Sequence, residues 1–166
     1  MTTVSQADRF QALDACHQQI QLHLDELAGL APQLETASDD LTVRQKIGAI
    51  EAFFSSTSRQ HHAEEEKNVF PALLASDNAE LVQAVKTLQQ DHGWIEQNWV
   101  ELAPMLRAIA EGEDWVDMAE MQSYMQVFLN LCHDHIVLEE TLIYPESKAQ
   151  FAQELANRGQ RQAKRA

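Results

Sequence analysis

His61-His62-Ala63-Glu64-Glu65-Glu66-Lys67-Asn68-Val69-Phe70-Pro71 and His135-Ile136-Val137-Leu138-Glu139-Glu140-Thr141-Leu142-Ile143-Tyr144-Pro145 are two copies of one pattern. Each sets a histidine, then carboxylates four and five residues on, then an aromatic-proline pair, at matching spacing. A lone histidine precedes each copy, His17 before the first and His92 before the second. The separations His17 to His61 and His92 to His135 agree to within one residue. A repeat of this kind is what a pseudo-two-fold, two-metal site in a helical bundle requires.

Around these stretches the apolar residues recur at alternating steps of three and four, the period of an amphipathic helix. A first helix is predicted over residues 5–30, ending before Pro32, with the stripe Phe10, Leu13, His17, Ile20, Leu24 and Leu27. A second opens at Asp39 or Asp40 and runs to residue 74, with Ile47, Ile50, Phe54, Thr57 and His61 on its stripe. Asp77-x-x-Glu80 has the form of a capping box for a third helix, carrying Leu88, His92, Ile95 and Trp99. Pro104 lies in that helix without ending its pattern, which predicts a kink. A fourth begins near Asp114 and carries Met121, Met125, Phe128, Cys132, His135 and Glu139. The fold expected is all-α, an up-down-up-down four-helix bundle over residues 1–146, with a short helical or disordered tail over 147–166.

Composition agrees and excludes several classes. A chain of 166 residues with 45% hydrophobic content suffices for one domain with a core of its own. The net charge of −14 argues against a nucleic-acid backbone or an anionic membrane surface as partner. No apolar stretch approaches the ~20 residues of a membrane span, and residues 1–10 carry no signal-peptide pattern. Cys16 and Cys132 form no C-x-x-C pair, and a cytoplasmic location with free thiols is expected.

Every predicted helix places one histidine where the stripe demands a core residue. Burying imidazoles and carboxylates together without a compensating charge costs several kcal/mol per group, roughly speaking. Height along the helices supports a common layer. From the turn near Ser76, His61 and His92 each lie about 15 residues up, roughly 22 Å at the helical rise. Two single histidines and two His-x-x-x-Glu pairs give four nitrogens and two carboxylates: His17, His61, Glu65, His92, His135 and Glu139. Six ligands are too many for one tetrahedral zinc with an open position. They suit two ions, each with two histidines, bridged by both carboxylates and a solvent oxygen. Imidazole with carboxylate suits iron, manganese or zinc.

This arrangement, a lone His, His-x-x-x-Glu-Glu ending in Phe-Pro, Asp91-His92, and His-x-x-x-Glu-Glu ending in Tyr-Pro, resembles the hemerythrin-like (HHE cation-binding) family over nearly the whole chain. The resemblance implies a non-haem di-iron centre of the Fe-O-Fe type in a four-helix bundle. It maps the ligand roles onto His17, His61, Glu65, His92, His135 and Glu139. Oxygen-carrying hemerythrins place a second His four residues after the first on helix three, where this chain has Glu96. They use His-x-x-x-x-Asp on helix four, where the equivalent step reaches Glu140. The site therefore resembles the bacterial hemerythrin-like branch more than a dedicated oxygen carrier.

Other polar residues read differently. His62 and Glu66 fall about 100° off the core face and are expected to orient ligands rather than ligate. His133 and His23 are expected at the surface, and Glu96 is an extra candidate ligand. Thr57, Ile95, Ile20 and Cys132, one turn from the histidines, are where a small-ligand pocket is expected if one exists. The function expected is reversible binding of a small diatomic ligand, O2 or NO, for carriage, scavenging or sensing. The alternative is a redox enzyme on the same centre, reducing peroxide or NO or repairing iron centres, which calls for a redox partner.

Overall fold

The computed structural model describes residues 5–165, so Met1–Val4 of the N-terminal stretch and Ala166 of the basic tail lie outside the described residues. The chain is all-helical, and the described residues hold no strand. Helix α1 is Gln6–Leu30, opened by the Ser5 side chain accepting from the Asp8 N–H. A 3-10 segment, Ala31–Asp39, carries Pro32 at its start. Then come α2 (Leu41–Ser55), α3 (Thr57–Asn68) and α4 (Phe70–Leu74). The long α5 (Ala79–Glu111) and α6 (Met118–Leu138) follow, then a π turn, Glu139–Ile143, and α7 (Tyr144–Ala163). Helix α5 packs against α2 and α6, and α1 against α2, α3 and α6.

Capping explains where the helices begin. Asp40, rather than Asp39, caps α2 by accepting from the Val43 N–H at 3.1 Å. The capping box expected at Asp77 and Glu80 is replaced by Asn78, whose Oδ1 accepts from both Glu80 and Leu81 N–H groups. An Asn side chain at the cap satisfies two donors that would otherwise be orphaned. Asp117 caps α6, so that helix starts at Met118 rather than near Asp114. Helix α5 continues through Pro104 and stops at Gly112, whose φ of 78° only glycine adopts cheaply.

The second predicted helix is divided into three. At Ser56 the backbone leaves the helix (φ −128°, ψ −77°). The hydroxyl run Ser55 to Ser58 supplies the cause, since such side chains compete with the helix for hydrogen bonds. The Ser56 hydroxyl donates to the Ala52 carbonyl at 2.7 Å, and that of Ser55 to Glu51 Oε1 at 2.9 Å. The break slips the stripe by one residue: Ser58 is buried and Thr57 exposed, so the buried series reads Phe54, Ser58, His61, Glu65. The second division, before Phe70-Pro71, has its counterpart in the π turn before Tyr144-Pro145. A proline ring collides with the carbonyl four residues back, which a widened turn relieves.

The core falls into two apolar clusters. The larger includes Ile20, Leu27, Ile50, Phe54, Ile95, Trp99, Phe128 and Cys132. The smaller includes Phe10, Leu13, Phe70, Val85, Leu88, Ile143 and Tyr144. On α1, His17 lies between Leu13 of one and Ile20 of the other, and on α5 His92 lies between Leu88 and Ile95. A polar layer thus crosses the interior between two oily ends.

Removing the α2 cap measures how far local signals hold the fold. Asp40→Ala is expected to lower unfolding free energy by about 1 kcal/mol in urea titration. An unchanged midpoint would show that the cap bond contributes nothing.

Candidate metal centre

The layer contains all six residues that the sequence singled out. His17, on α1, and His61 and Glu65, on α3, are buried, as are His135 on α6 and Glu139 at the start of the π turn; His92 on α5 is half-buried. Two groups form. One ligand atom from each of His17, His61, Glu65 and Glu139 lies within 4.8 Å of the others, and the same holds for Glu65, His92, His135 and Glu139. The two carboxylates are common to both groups. His61 contacts Glu65 and His135 contacts Glu139, each one helical turn apart, as the i, i+4 spacing dictates. His17 Nε2 is 2.6 Å from Glu139 Oε2, and the Nε2 atoms of His92 and His135 face each other at 3.0 Å.

The far side of two of the imidazoles is hydrogen-bonded as well. His17 Nδ1 donates to Glu140 at 3.3 Å, and His92 Nδ1 donates to Glu66 at 2.8 Å. His135 Nδ1 lies 3.7 Å from Asp91, and His61 packs against the Cys16 thiol. At His17 and His92 a proton held at Nδ1 leaves Nε2 with its lone pair pointing inward, the tautomer a metal ligand needs. From the sequence, Asp91 enters only as part of the Asp-His pair and Cys16 only as an unpaired thiol, with no role at the centre for either. The signal was available, because each directly precedes the lone histidine of its half.

A cation fits these residues on their own chemistry. Glu65 Oε2 and both oxygens of Glu139 are fully buried, and the imidazole nitrogens close to them lack hydrogen-bond geometry. Without a cation that arrangement is costly. The electrostatics of the metal-free protein show the same conflict. Burial, then the Glu139 charge, pushes Glu65 up to about 8. Burial opposes ionisation of Glu139 too, but contacts with His135 and His17 prevail and hold it well below the usual carboxylate range. Burial also disfavours charged His61, yet Cys16 and Glu65 outweigh it and raise its pKa to about 10. His135 is likewise raised, to about 9, by Asp91 and Glu139 against burial. Burial and neighbouring imidazoles depress His92 and His62.

Other expectations are corrected. Glu96 is exposed and chelates Arg59, with Nη2 donating at 2.5 Å, so it takes no part in the centre. The His62 ring stacks on His92 at 4.1 Å, and His62 groups with His92 and His135. A position 100° off the core face still faces His92 across the gap to α5. His23 is half-buried against Phe53, while His133 is exposed. Ile20, Ile95 and Cys132 are packed core, not a pocket. Thr57 instead lines a surface groove of about 540 Å³, with Cys16, Gln60 and His61. Tyr144, read only as part of the repeat, is buried and places its hydroxyl among His17, His61 and Glu65. Burial and the two glutamates push this phenol well above its ordinary pKa in the metal-free protein.

Among the described residues, no helix is long and apolar enough to cross a membrane. A Haemophilus influenzae protein described only as uncharacterized is 26% identical over 131 residues, spanning 78% of this chain and 73% of its own. No solved structure matches the chain. The profile of the hemerythrin HHE cation binding domain matches residues 8–147, which take in every residue of the polar layer. By that match and the His/Glu groups it encloses, the chain belongs to the hemerythrin HHE cation-binding domain family.

Proposed function

We propose that this chain is a cytoplasmic non-haem di-iron protein that binds a small diatomic ligand, O2 or NO, for carriage, scavenging or sensing. The observation that carries the reading is the division of four imidazoles into two pairs around two shared, wholly buried carboxylates. We read α1, α2 to α4, α5 and α6 with α7 as the four arms of an up-down-up-down bundle around them. His17 and His61 would hold one ion, His92 and His135 the other, and Glu65 and Glu139 would span both. Nitrogen and carboxylate donors suit iron, with zinc or manganese the less favoured occupants. A ferrous pair, when bound, supplies the electrons that a reversibly held diatomic ligand draws on. The chain's own part is to fix the imidazoles through Glu140, Glu66, Asp91 and Cys16, and to keep bulk water out with the apolar clusters on either side.

A second reading, a redox enzyme acting on peroxide or NO with an electron-donating partner, is favoured by the groove that reaches His61, since its volume exceeds what a diatomic molecule needs. Metal analysis with an optical spectrum, before and after reduction and exposure to air, tests the first reading. Two irons per chain with ferric charge-transfer absorption support it, and a colourless zinc protein sinks it. Steady-state turnover of peroxide or NO would favour the enzyme.

The shared carboxylates give a sharper expectation. Glu65→Gln or Glu139→Gln removes a negative charge from beside both ions, so each variant should bind fewer than two irons per chain even at saturation. Glu66→Gln and Glu140→Gln loosen only the orientation of His92 and His17. Those two should keep full stoichiometry while affinity falls roughly 10- to 100-fold. Iron titration separates the two classes, and equal damage from all four would show that the inner and outer carboxylates have been misassigned.

Metal-free protein should lose stability as pH rises from 7 to 10. An unfolded chain has already released these protons, at ordinary values of 4.5 for Glu and 6.5 for His. The folded one holds them to about 8 at Glu65, about 9 at His135 and about 10 at His61. The native state therefore binds more protons in this window, and stability falls with pH. Metal takes the place of those protons, so loaded protein should melt higher and vary less with pH. Thermal melts of chelator-treated and iron-loaded samples check this, and an apo melting point that climbs above pH 7 would contradict it.

A further inference from the structure

The two halves of the centre match at His61 and His135, Glu65 and Glu139, and Glu66 and Glu140, and they part at the aromatic-proline pairs. Phe70 stacks on His92, with ring centroids 5.6 Å apart and planes at 22°. Its counterpart Tyr144 stacks on His17, at 4.7 Å and 16°. The packing role is the same, but Tyr144 adds a hydroxyl, and that hydroxyl is aimed at the metal position. It lies 3.1 Å from His17 Nε2, 3.4 Å from His61 Nε2 and 3.4 Å from Glu65 Oε1. All three are atoms that would face one ion. In an octahedron with bonds of ~2.1 Å, neighbouring vertices are ~3 Å apart. The phenol oxygen stands at that spacing from three inner ligands at once, as a fourth vertex would.

Metal binding also removes two of the hydroxyl's three partners. An imidazole Nε2 that gives its lone pair to a cation can no longer accept a hydrogen bond. Tyr144 is 2% exposed, so water does not replace those partners. Only the long 3.4 Å contact with Glu65 Oε1 then remains to a buried hydroxyl, a weak substitute for what coordination offers.

From this geometry we infer that the Tyr144 phenol oxygen is a protein ligand to the ion held by His17 and His61. The inference rests on the two-ion reading above. As the oxygen–metal bond forms, the O–H bond breaks and its proton leaves to solvent; the oxygen keeps the electron pair, and nothing is oxidised. The second ion, faced by Phe70, has no such oxygen. The two ions are then unlike, and the one held by His92 and His135 is where an outside ligand finds less protein oxygen in its way.

The test loads metal-free full-length chain with ferrous iron under nitrogen, oxidises it in air, and records resonance Raman and visible spectra with iron counts. Tyrosinate ring modes enhanced within a visible charge-transfer band are expected for the unaltered chain. The chain has two tyrosines, so attribution is direct. Tyr144→Phe, which makes this half like its partner, should abolish the modes while Tyr124→Phe keeps them. Should Tyr144→Phe fail to fold, the unaltered chain and Tyr124→Phe still decide the matter. Two bound irons without tyrosinate modes overturn this assignment alone. Failure to bind two irons overturns the di-iron reading and this assignment with it.

Discussion

Two carboxylates with no access to water are the constraint around which the protein is built. Glu65 and Glu139 are wholly buried, and three of their four oxygens lack a hydrogen-bond partner. Taking such groups out of water is among the costliest acts in folding. Four imidazoles, drawn from α1, α3, α5 and α6, converge on them. The outer carboxylates Glu140 and Glu66 then hold two of those imidazoles from behind, while Asp91 and Cys16 neighbour the other two. Each step follows from the one before, and the arrangement is resolved only by positive charge at the centre. That requirement, rather than any single contact, joins the family assignment to the geometry.

Much of this could be read before any coordinates. The repeated His-x-x-x-Glu is unambiguous because it recurs at matching spacing and the stripe around it is apolar. A histidine at a stripe position is simply where its helix faces inward. Reading failed where local chemistry altered the helical count. The hydroxyls of Ser55 and Ser56 slip the second stripe by one residue, which moves Thr57 out to a groove and Ser58 in. Periodicity cannot register such a slip, because it assumes an unbroken helix. Glu96 had the right spacing but fell to Arg59, a tertiary partner that no local pattern names. The angle of His62 from the core axis left unsaid which helix it faces, and the fold sets it against His92 of α5.

The two halves are alike in what they must do and different in how the backbone does it. At Phe70 the chain breaks and restarts as the short α4. At Tyr144 it widens into a π turn and continues as α7. Both devices answer the same proline. The π turn keeps Glu139 and Tyr144 together at the polar layer although five residues separate them. A regular α-helix would turn a residue five places on by about 140°. One local widening thereby sets a carboxylate and a phenol on the same side.

The division of the core also shapes how the molecule moves. Stability within a protein is distributed among cooperative units, and an internal polar layer is a natural boundary between two of them. The end built around Phe10, Leu13, Phe70 and Tyr144 has the smaller apolar cluster. The opposite end, around Trp99, Phe54 and Phe128, has the larger. Fluctuation therefore favours the smaller end, which can part while the larger holds the helices in register. An ion could come and go by that breathing alone, with no need for the chain to unfold. The speed of exchange would then be set by how firmly a few aromatic rings are seated.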